Sequence, residues 1–138
     1  MALANNEIQV AWATAASKSV AAAAAETSDA MTLSQTAIER AVTIKADNAG
    51  TPASGDTVDI YLLATCGDPD GAGASEYSSN IYDGEFLVRL NTYGSGQDPA
   101  VATVTISSAV VDAKLLAKSN AASNAIVVSA CVNEKLVS

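Results

Sequence analysis

The sequence predicts an all-β fold: a single-domain antiparallel β-sandwich or jelly-roll-like barrel with a less regular N-terminal arm. Segments in which apolar and polar residues alternate recur along the chain, and this period of two is that of a half-buried β-strand. Clusters of turn-forming residues separate these segments every ten to fifteen residues or so, which is typical of sandwiches and barrels. No helical apolar repeat lasts long enough to indicate a βαβ unit.

The clearest of these segments is residues 48–66, where a polar turn leads directly into a strand. Gly50, Pro52 and Gly55 interrupt any regular structure that precedes it. Every second residue is then small or apolar, namely Val58, Ile60, Leu62, Ala64 and Cys66. This pattern predicts a half-buried strand over 57–66. Tyr61 lies on its opposite side, where it is either exposed or in contact with a partner.

The same pattern predicts strands over residues 7–16, 38–46, 85–91, 101–107 and 125–137. Arg40 interrupts the apolar side of its strand and is expected at the rim of the sheet. Phe86 is expected on the core side of its strand, opposite Arg89.

Two further segments stay ambiguous. Residues 110–118 fit either a strand or a helix. The alanine run in residues 17–25 favours a helix by propensity, although an isolated helix of this length is marginal in water.

A chain of 138 residues is long enough for one domain with a single core. We expect residues 1–30 to form an N-terminal strand and a small-residue arm, packed on or exchanged with neighbours. Residues 31–138 are expected to form the β-sandwich domain. Only 4% of the residues are aromatic and 16% are charged, so the core must consist of small side chains that bury little area each. Such a domain gains stability when neighbours cover it, which favours a homo-oligomer, a dimer or trimer.

The charge distribution argues against two classes of partner. The net charge is −8, and the 7 basic residues are scattered along the chain. A patch able to neutralise nucleic-acid phosphates or anionic lipid is therefore not expected. The first residues lack the basic and apolar regions of a secretory signal, so we expect synthesis in the cytoplasm. Cys66 and Cys131 are then expected to be buried free thiols, with a disulfide as the alternative.

The residue types also argue against catalysis. The sequence contains no histidine, which removes the commonest general base near neutral pH. A carboxylate pair as in glycosidases would have to come from the acidic residues around the 67–77 loop, Asp68, Asp70, Glu76, Asp83 and Glu85. We therefore expect no enzyme and no cofactor.

The 67–77 loop also contains a weak calcium candidate, formed by Asp68, Asp70 and Glu76. The spacing departs from that of an EF-hand loop, because Ala72 stands where a third ligand is expected. An ordinary turn explains the same residues.

Three side chains are candidates for contact with a neighbouring subunit. Trp12 is the only tryptophan and shares its predicted strand face with Val10. This face is expected to lie in the core or at a subunit contact, since a large aromatic side chain contributes most where it is covered. Tyr61, on the outer side of its strand, is the third candidate.

Several stretches together resemble the small decoration (cement) proteins of tailed-bacteriophage heads. The resemblance is carried by VAW at 10–12, TSDA at 27–30, VTIKADN at 42–48, GTPASGDTVDIYLL at 50–63 and GDPDG at 67–71. The resemblance extends over most of the chain and consists of a similar sequence pattern in its turns and strands. The resemblance implies an all-β structural protein of the virion, made in the host cytoplasm, that binds the outer surface of the major capsid protein and stabilises the head.

Two alternatives remain open at this point. The chain is also compatible with another structural component of a phage, associated with the tail, neck or fibre. A carbohydrate-binding β-sandwich is less favoured, because such modules expose several aromatic side chains on one face and this chain has few.

Overall fold

A computed structural model of the chain describes residues 2–65, 68–73, 76–77, 84–107 and 112–137. These residues contain ten strands: β1 (Leu3–Gln9), β2 (Lys18–Val20), β3 (Ala25–Thr27), β4 (Met31–Thr32), β5 (Ala37–Asn48), β6 (Thr57–Thr65), β7 (Glu85–Asn91), β8 (Ala100–Ile106), β9 (Asp112–Ser119) and β10 (Ile126–Val137). The strands form two antiparallel sheets that pack face to face, which confirms the predicted β-sandwich. A helix long and apolar enough to cross a bilayer is absent from the described residues.

Each sheet contains two central strands that pair on both sides, β10 and β5 in the first sheet and β9 and β6 in the second. In the first sheet the order is β1-β10-β5-β8, and β2 also pairs with β10. In the second sheet the order is β3-β9-β6-β7, and β4 also pairs with β9. Among the described strands, only β6 and β7 are both consecutive in sequence and hydrogen-bonded. The chain therefore crosses repeatedly between the sheets, and most pairing joins residues distant in sequence.

The core lies between the two sheets and contains the side chains that the period of two places on their facing sides. The buried positions of the three longest strands are Val42, Ile44 and Ala46 of β5, Val58, Ile60 and Leu62 of β6, and Ile126, Val128, Ala130 and Val132 of β10. Burial of one Val, Leu or Ile side chain contributes about 1.5–3 kcal/mol. The core-facing positions predicted for these strands are thus confirmed. Within the ambiguous segment 110–118, the described residues from Asp112 onward belong to strand β9.

The strand predicted over 57–66 differs from expectation in its outer side. Asp59 and Leu63, on the side away from the core, are only 5% and 3% exposed. The strand lies between β9 and β7, so neighbours flank both of its edges and their side chains cover its outer face. β6 is therefore buried on both sides over much of its length rather than half-buried.

The helix favoured by the alanine run is wrong. Residues 18–27 form β2 and β3, joined by a turn in which Ala23 has a φ of 59°. Val20 is fully buried and pairs with Ile126 of β10. Strand pairing and burial outweigh the small propensity of alanine for helix.

Residues 2–30 contribute strands to both sheets of the same chain. β1 pairs with β10 along seven consecutive residues, from Leu3 opposite Val137 to Gln9 opposite Cys131. A tight turn follows, in which Ala13 and Thr14 have positive φ and donate their N–H groups to the Asp29 carboxylate. These bonds offset the strain of the left-handed backbone. Within this chain, strands β1, β2 and β3 thus pair with β10 and β9 of the two sheets.

Arg40 and Glu134 form a buried ion pair on the core side of the first sheet. The two residues face each other across β5 and β10, and Arg40 Nε lies 2.7 Å from Glu134 Oε2. Both side chains are completely buried. Asn6 and the Ser34 N–H donate to the same carboxylate, and Arg40 also donates to the Ser34 and Ser107 carbonyls. The expectation that Arg40 lies at the rim is wrong. The Glu134 carboxylate and the two carbonyls accept hydrogen bonds from the guanidinium and so stabilise its charge in the interior.

A second polar cluster lies at the opposite end of β5. The Asp56 carboxylate accepts hydrogen bonds from Asn48 at 2.9 Å, from Asn124 at 2.8 Å and from the Ala53 N–H at 3.0 Å. The backbone carbonyl of Asp56 accepts from the N–H and hydroxyl of Thr92. The bond from Asn124, more than the others, holds the pKa of Asp56 below its ordinary value of 3.8. The cluster joins the turn before β6 to the ends of β5 and β7.

Replacement of Glu134 tests the importance of the buried pair. Glu134→Gln leaves the Arg40 charge buried without its counter-charge, and we expect a loss of about 3–5 kcal/mol in the free energy of unfolding. Glu39→Gln is the matched control, because its ion pair with Lys135 is exposed and is worth at most about 1 kcal/mol. Urea unfolding followed by circular dichroism measures both. Equal losses in the two variants would contradict the assignment.

Candidate interaction surface

The outer face of the second sheet carries an apolar row that crosses three strands. Leu116 of β9 pairs with Tyr61 of β6, and Tyr61 pairs with Phe86 of β7. The Tyr61 and Phe86 rings meet edge to face, with centroids 5.6 Å apart and an interplanar angle of 70°. Leu116 is buried, Tyr61 is half-buried and Phe86 is 54% exposed. We call Leu116, Tyr61 and Phe86 the aromatic row.

A β-bulge in β7 places Phe86 on this face. Asp59 pairs with Arg89 and Ile60 with Val88, but Tyr61 pairs with Phe86, so Leu87 is an extra residue in its strand. Because of this extra residue, the side chains on the two sides of the bulge no longer alternate in step, and Phe86 lies on the same face as Arg89. The expectation that Phe86 lies in the core opposite Arg89 is therefore wrong, and both residues share the outer face.

A row of charged residues runs beside the aromatic row. Asp59 lies between Lys118 of β9 and Arg89 of β7 in the register of the sheet. The guanidinium of Arg89 donates two hydrogen bonds to the Asp59 carboxylate, of 2.6 and 2.9 Å, and Asn120 donates a third of 3.1 Å. The bond from Arg89 is the main reason that the pKa of Asp59 lies below its ordinary value of 3.8. The pair holds Arg89 in place while most of its side chain stays exposed.

A cation–π contact lies on the other side of the aromatic row. The Lys114 ammonium is 4.6 Å from the centroid of the Tyr77 ring, and Lys114 pairs with Leu63 across β9 and β6. Burial, and then the nearby charge of Asp112, raise the pKa of the Tyr77 hydroxyl. The aromatic row thus lies between the charged row of Asp59, Arg89 and Lys118 on one side and the Lys114–Tyr77 contact on the other.

The three contact candidates from the sequence separate into two groups. Val10 is fully buried and Trp12 is 2% exposed, both within the core of this chain. Among the described residues, the Trp12 indole nitrogen has no hydrogen-bond partner. Neither side chain belongs to the free surface of the chain. Tyr61 lies on the outer face of the second sheet, and its neighbour Phe86 was missed because the sequence does not reveal the bulge.

The calcium candidates form a hydrogen-bonded turn. The Asp68 carboxylate accepts from the N–H groups of Asp70, Gly71 and Gly73, and the Asp70 carboxylate accepts from the Ala72 N–H. The bond from Gly73, more than the others, lowers the pKa of Asp68. Glu76 is exposed. Within the described residues, no group of three or more potential metal ligands comes together.

A cleft lies at the end of the first sheet where β5 begins and β8 ends. It has a volume of about 470 Å³ and is lined by residues of β5, β8 and β10: Ile38, Glu39, Arg40, Ala41, Thr105, Ile106, Asn133 and Lys135. None of these is aromatic. Cys131 lies on the same sheet opposite Gln9, as a free thiol whose pKa is raised by burial and by Glu7. Cys66, the other half of the alternative disulfide, lies outside the described residues, as does Asp83.

No protein-family model matches this chain, and no curated protein matches its sequence. Among solved structures it is similar to a family GH115 4-O-methyl-α-glucuronidase with specificity for decorated arabinogalactans (TM-score 0.48, 11% identity, 93% of this chain and 16% of that chain). It is also similar to the K3 cleaved adhesin domain of Lys-gingipain from Porphyromonas gingivalis (TM-score 0.46, 11% identity, 85% of this chain and 71% of that chain). A third similar structure is that of infectious bursal disease virus, Gx strain (TM-score 0.31, 13% identity, 98% of this chain and 41% of that chain). This chain thus spans a small part of the glucuronidase, and at these identities and TM-scores the likeness is one of strand arrangement alone.

The arrangement on the outer face of the second sheet suits contact with another protein. The aromatic row supplies apolar area, and Arg89 supplies donors held in position by Asp59. Tyr, Phe and Arg are the residue types enriched where protein surfaces meet. The face is part of a sheet and offers an extended surface rather than a cavity for a small molecule.

The Asp59–Arg89 pair predicts a specific dependence of stability on pH. Because the pKa of Asp59 is lowered in the folded state, its stabilising contribution is complete above about pH 5 and is lost as the pH falls through the folded-state pKa. Asp59→Asn should therefore be less stable than the wild type at pH 7, and the difference should shrink towards pH 2. Urea unfolding at several pH values measures this. Asp47→Asn, at an exposed position of β5, is the control, and a difference for Asp59→Asn that is constant with pH would contradict the prediction.

The turn at residues 68–73 predicts no response to calcium. The Asp68 oxygens already accept N–H groups of the loop, so a cation would have to displace these bonds. We expect the same melting temperature in millimolar calcium and in chelator, measured by circular dichroism. A rise in calcium that Asp68→Asn abolishes would show that the loop binds the ion.

Proposed function

We propose that this chain is a structural virion protein, a capsid decoration (cement) protein that binds the outer surface of the major capsid protein and stabilises the head. The observation that carries the proposal is the aromatic row, in which the exposed Phe86 ring contacts Tyr61 on the outer face of the second sheet. The sequence of the chain also offers no recognisable catalytic set. The resemblance of its turns and strands to phage decoration proteins supports the same conclusion.

The composition of the face supports a protein partner over a sugar. Phe86 is 54% exposed, and Tyr61, which pairs with it on the neighbouring strand, contacts its ring edge to face. An aromatic side chain held in this way is a typical anchor at the centre of a protein interface. The two rings are inclined by 70° and so do not form the flat platform on which a sugar ring would stack. A carbohydrate-binding module is therefore less well supported than a protein-binding one.

The mechanism would be attachment at many equivalent positions. One copy with a modest apolar surface binds weakly, but a ligand that binds only the assembled shell stabilises it by mass action. Copies that form dimers or trimers would each add a second or third attachment, which raises the overall affinity without a new kind of contact. The net charge of −8 keeps the protein off the packaged nucleic acid and soluble before it binds.

Another structural component of the virion, in the tail, neck or fibre, would use the same face. The binding partner distinguishes the two assignments, so the experiment must use capsids as one arm and tails as another.

The test is binding of the purified protein to capsids assembled from the major capsid protein of the same virus. We expect saturable co-sedimentation of the wild type, and Phe86→Ser should bind at least about tenfold more weakly, because it removes the central anchor. The matched control is Leu3→Ser, since Leu3 is similarly exposed, at 57%, but belongs to the first sheet.

Two outcomes would count against the proposal in different ways. A wild-type protein that does not bind capsids but binds purified tails would reject decoration and support the alternative virion role. Capsid binding that Phe86→Ser leaves unchanged would retain decoration but reject the aromatic row as the binding surface. Thermal disruption of capsids with and without bound protein measures the stabilisation itself.

A further inference from the structure

β8 forms an edge of the first sheet. Its residues pair with β5 from Arg40 opposite Ile106 to Ala46 opposite Ala100. Across the described residues, β8 pairs with no other strand. Every second N–H and C=O group of such a strand points away from the sheet, which makes the edge a template for another strand.

The other three edges of the sandwich carry features that discourage strand addition. The β1 and β2 edge includes the charged residues Glu7 and Lys18 and is broken into two pieces. The β3 and β4 edge consists of pieces of only 3 and 2 residues. β7 has a bulge and carries Glu85 and Arg89. Charges, bulges and short strands are the usual means by which sheet edges avoid pairing.

β8 has none of these features. Its sequence, AVATVTI, contains no charged residue and no proline, and its register with β5 is regular over seven residues. Val101 is 61% exposed, the most exposed of the large apolar side chains among the described residues. Of the four edges, β8 is therefore the one suited to pairing with another strand.

We propose that β8 pairs antiparallel with β8 of a second copy of this chain, so that the first sheets of two subunits form one continuous sheet about a two-fold axis. The two-fold axis passes beside Thr103, the central residue of the strand. This pairing brings Val101 opposite Thr105 of the second copy, and Ala102 opposite Val104.

The strand is complementary to itself in size. On the core side, the pairing sets a small residue against a larger one twice, Ala102 against Val104 and Ala100 against Ile106. On the outer side it sets β-branched residues against each other, which is a favourable combination across antiparallel strands. The hydroxyl of Thr103 is hydrogen-bonded to that of Thr43 of β5, 2.8 Å away. In the dimer, a row of threonines would therefore continue from one subunit to the other across the interface.

The burial of β8 also fits a second strand beside it. Ala100, Ala102 and Val104 are only partly buried, although they pack against the core. A neighbouring β8 would cover the side that remains open. The uncharged strand lets two chains of net charge −8 approach with no like charges directly opposite within the pair.

This inference does not rest on capsid binding. β8 belongs to the first sheet and the aromatic row to the outer face of the second, so the dimer leaves the aromatic row free. Each dimer would then present two aromatic rows, which is how it would contribute to attachment at several points.

The test uses a pair of opposite charges at the position nearest the two-fold axis. We expect the wild type to sediment at twice the 13.9 kDa of one chain. Thr103→Lys and Thr103→Glu should each dimerise at least about tenfold more weakly, because the two-fold axis sets like charges opposite each other. An equimolar mixture of the two variants should recover the dimer. Thr51→Lys, at an exposed loop position, is the control for added charge and should remain dimeric.

A second measurement requires no variant. Amide hydrogen exchange of the wild-type protein, at concentrations above and below dimerisation, should show protection that rises with concentration in β8 and not in β7. A wild type that is monomeric at all concentrations, or trimeric, would overturn the proposal. So would a dimer in which Thr103→Lys has no effect and the protection of β8 does not change.

Discussion

The buried ion pair of Arg40 and Glu134 is the interaction on which the first sheet depends. Two charges with no exposure to solvent are tolerated only when every donor and acceptor has a partner, and here Asn6 and the Ser34 and Ser107 backbones complete the set. The pair therefore specifies one register between β5 and β10. A slip by one residue would move both charges to the outer face and the polar outer residues into the core.

The opposite end of the sandwich is held by the Asp56 cluster, which links Asn48, Thr92 and Asn124. Polar residues thus close the sandwich at both ends of β5, while small apolar side chains fill the space between the sheets. Both proposals concern other parts of the molecule, namely the outer face of the second sheet, where Phe86 is exposed, and the edge strand β8, which pairs only with β5 among the described strands.

The sequence predicted the long strands better than the short ones, for a physical reason. β5, β6 and β10 alternate over nine to twelve residues, so that burial of one face is evident from the pattern alone. β2 and β3 have three residues each, too few to show a period, and alanine propensity then pointed to a helix. Tyr61 was identified as an outer residue for the same reason that β6 was identified as a strand.

What the sequence determined by itself is the all-β class, the faces of the longest strands and the absence of a histidine-based site, because these follow from residue type and local period. Only the tertiary structure decided where Arg40 and Phe86 lie. Arg40 is buried because Glu134, distant in sequence, faces it across the sheet. Phe86 is exposed because one extra residue in β7 reverses its side. Both depend on pairing between strands, and a period within one strand carries no information about its partner.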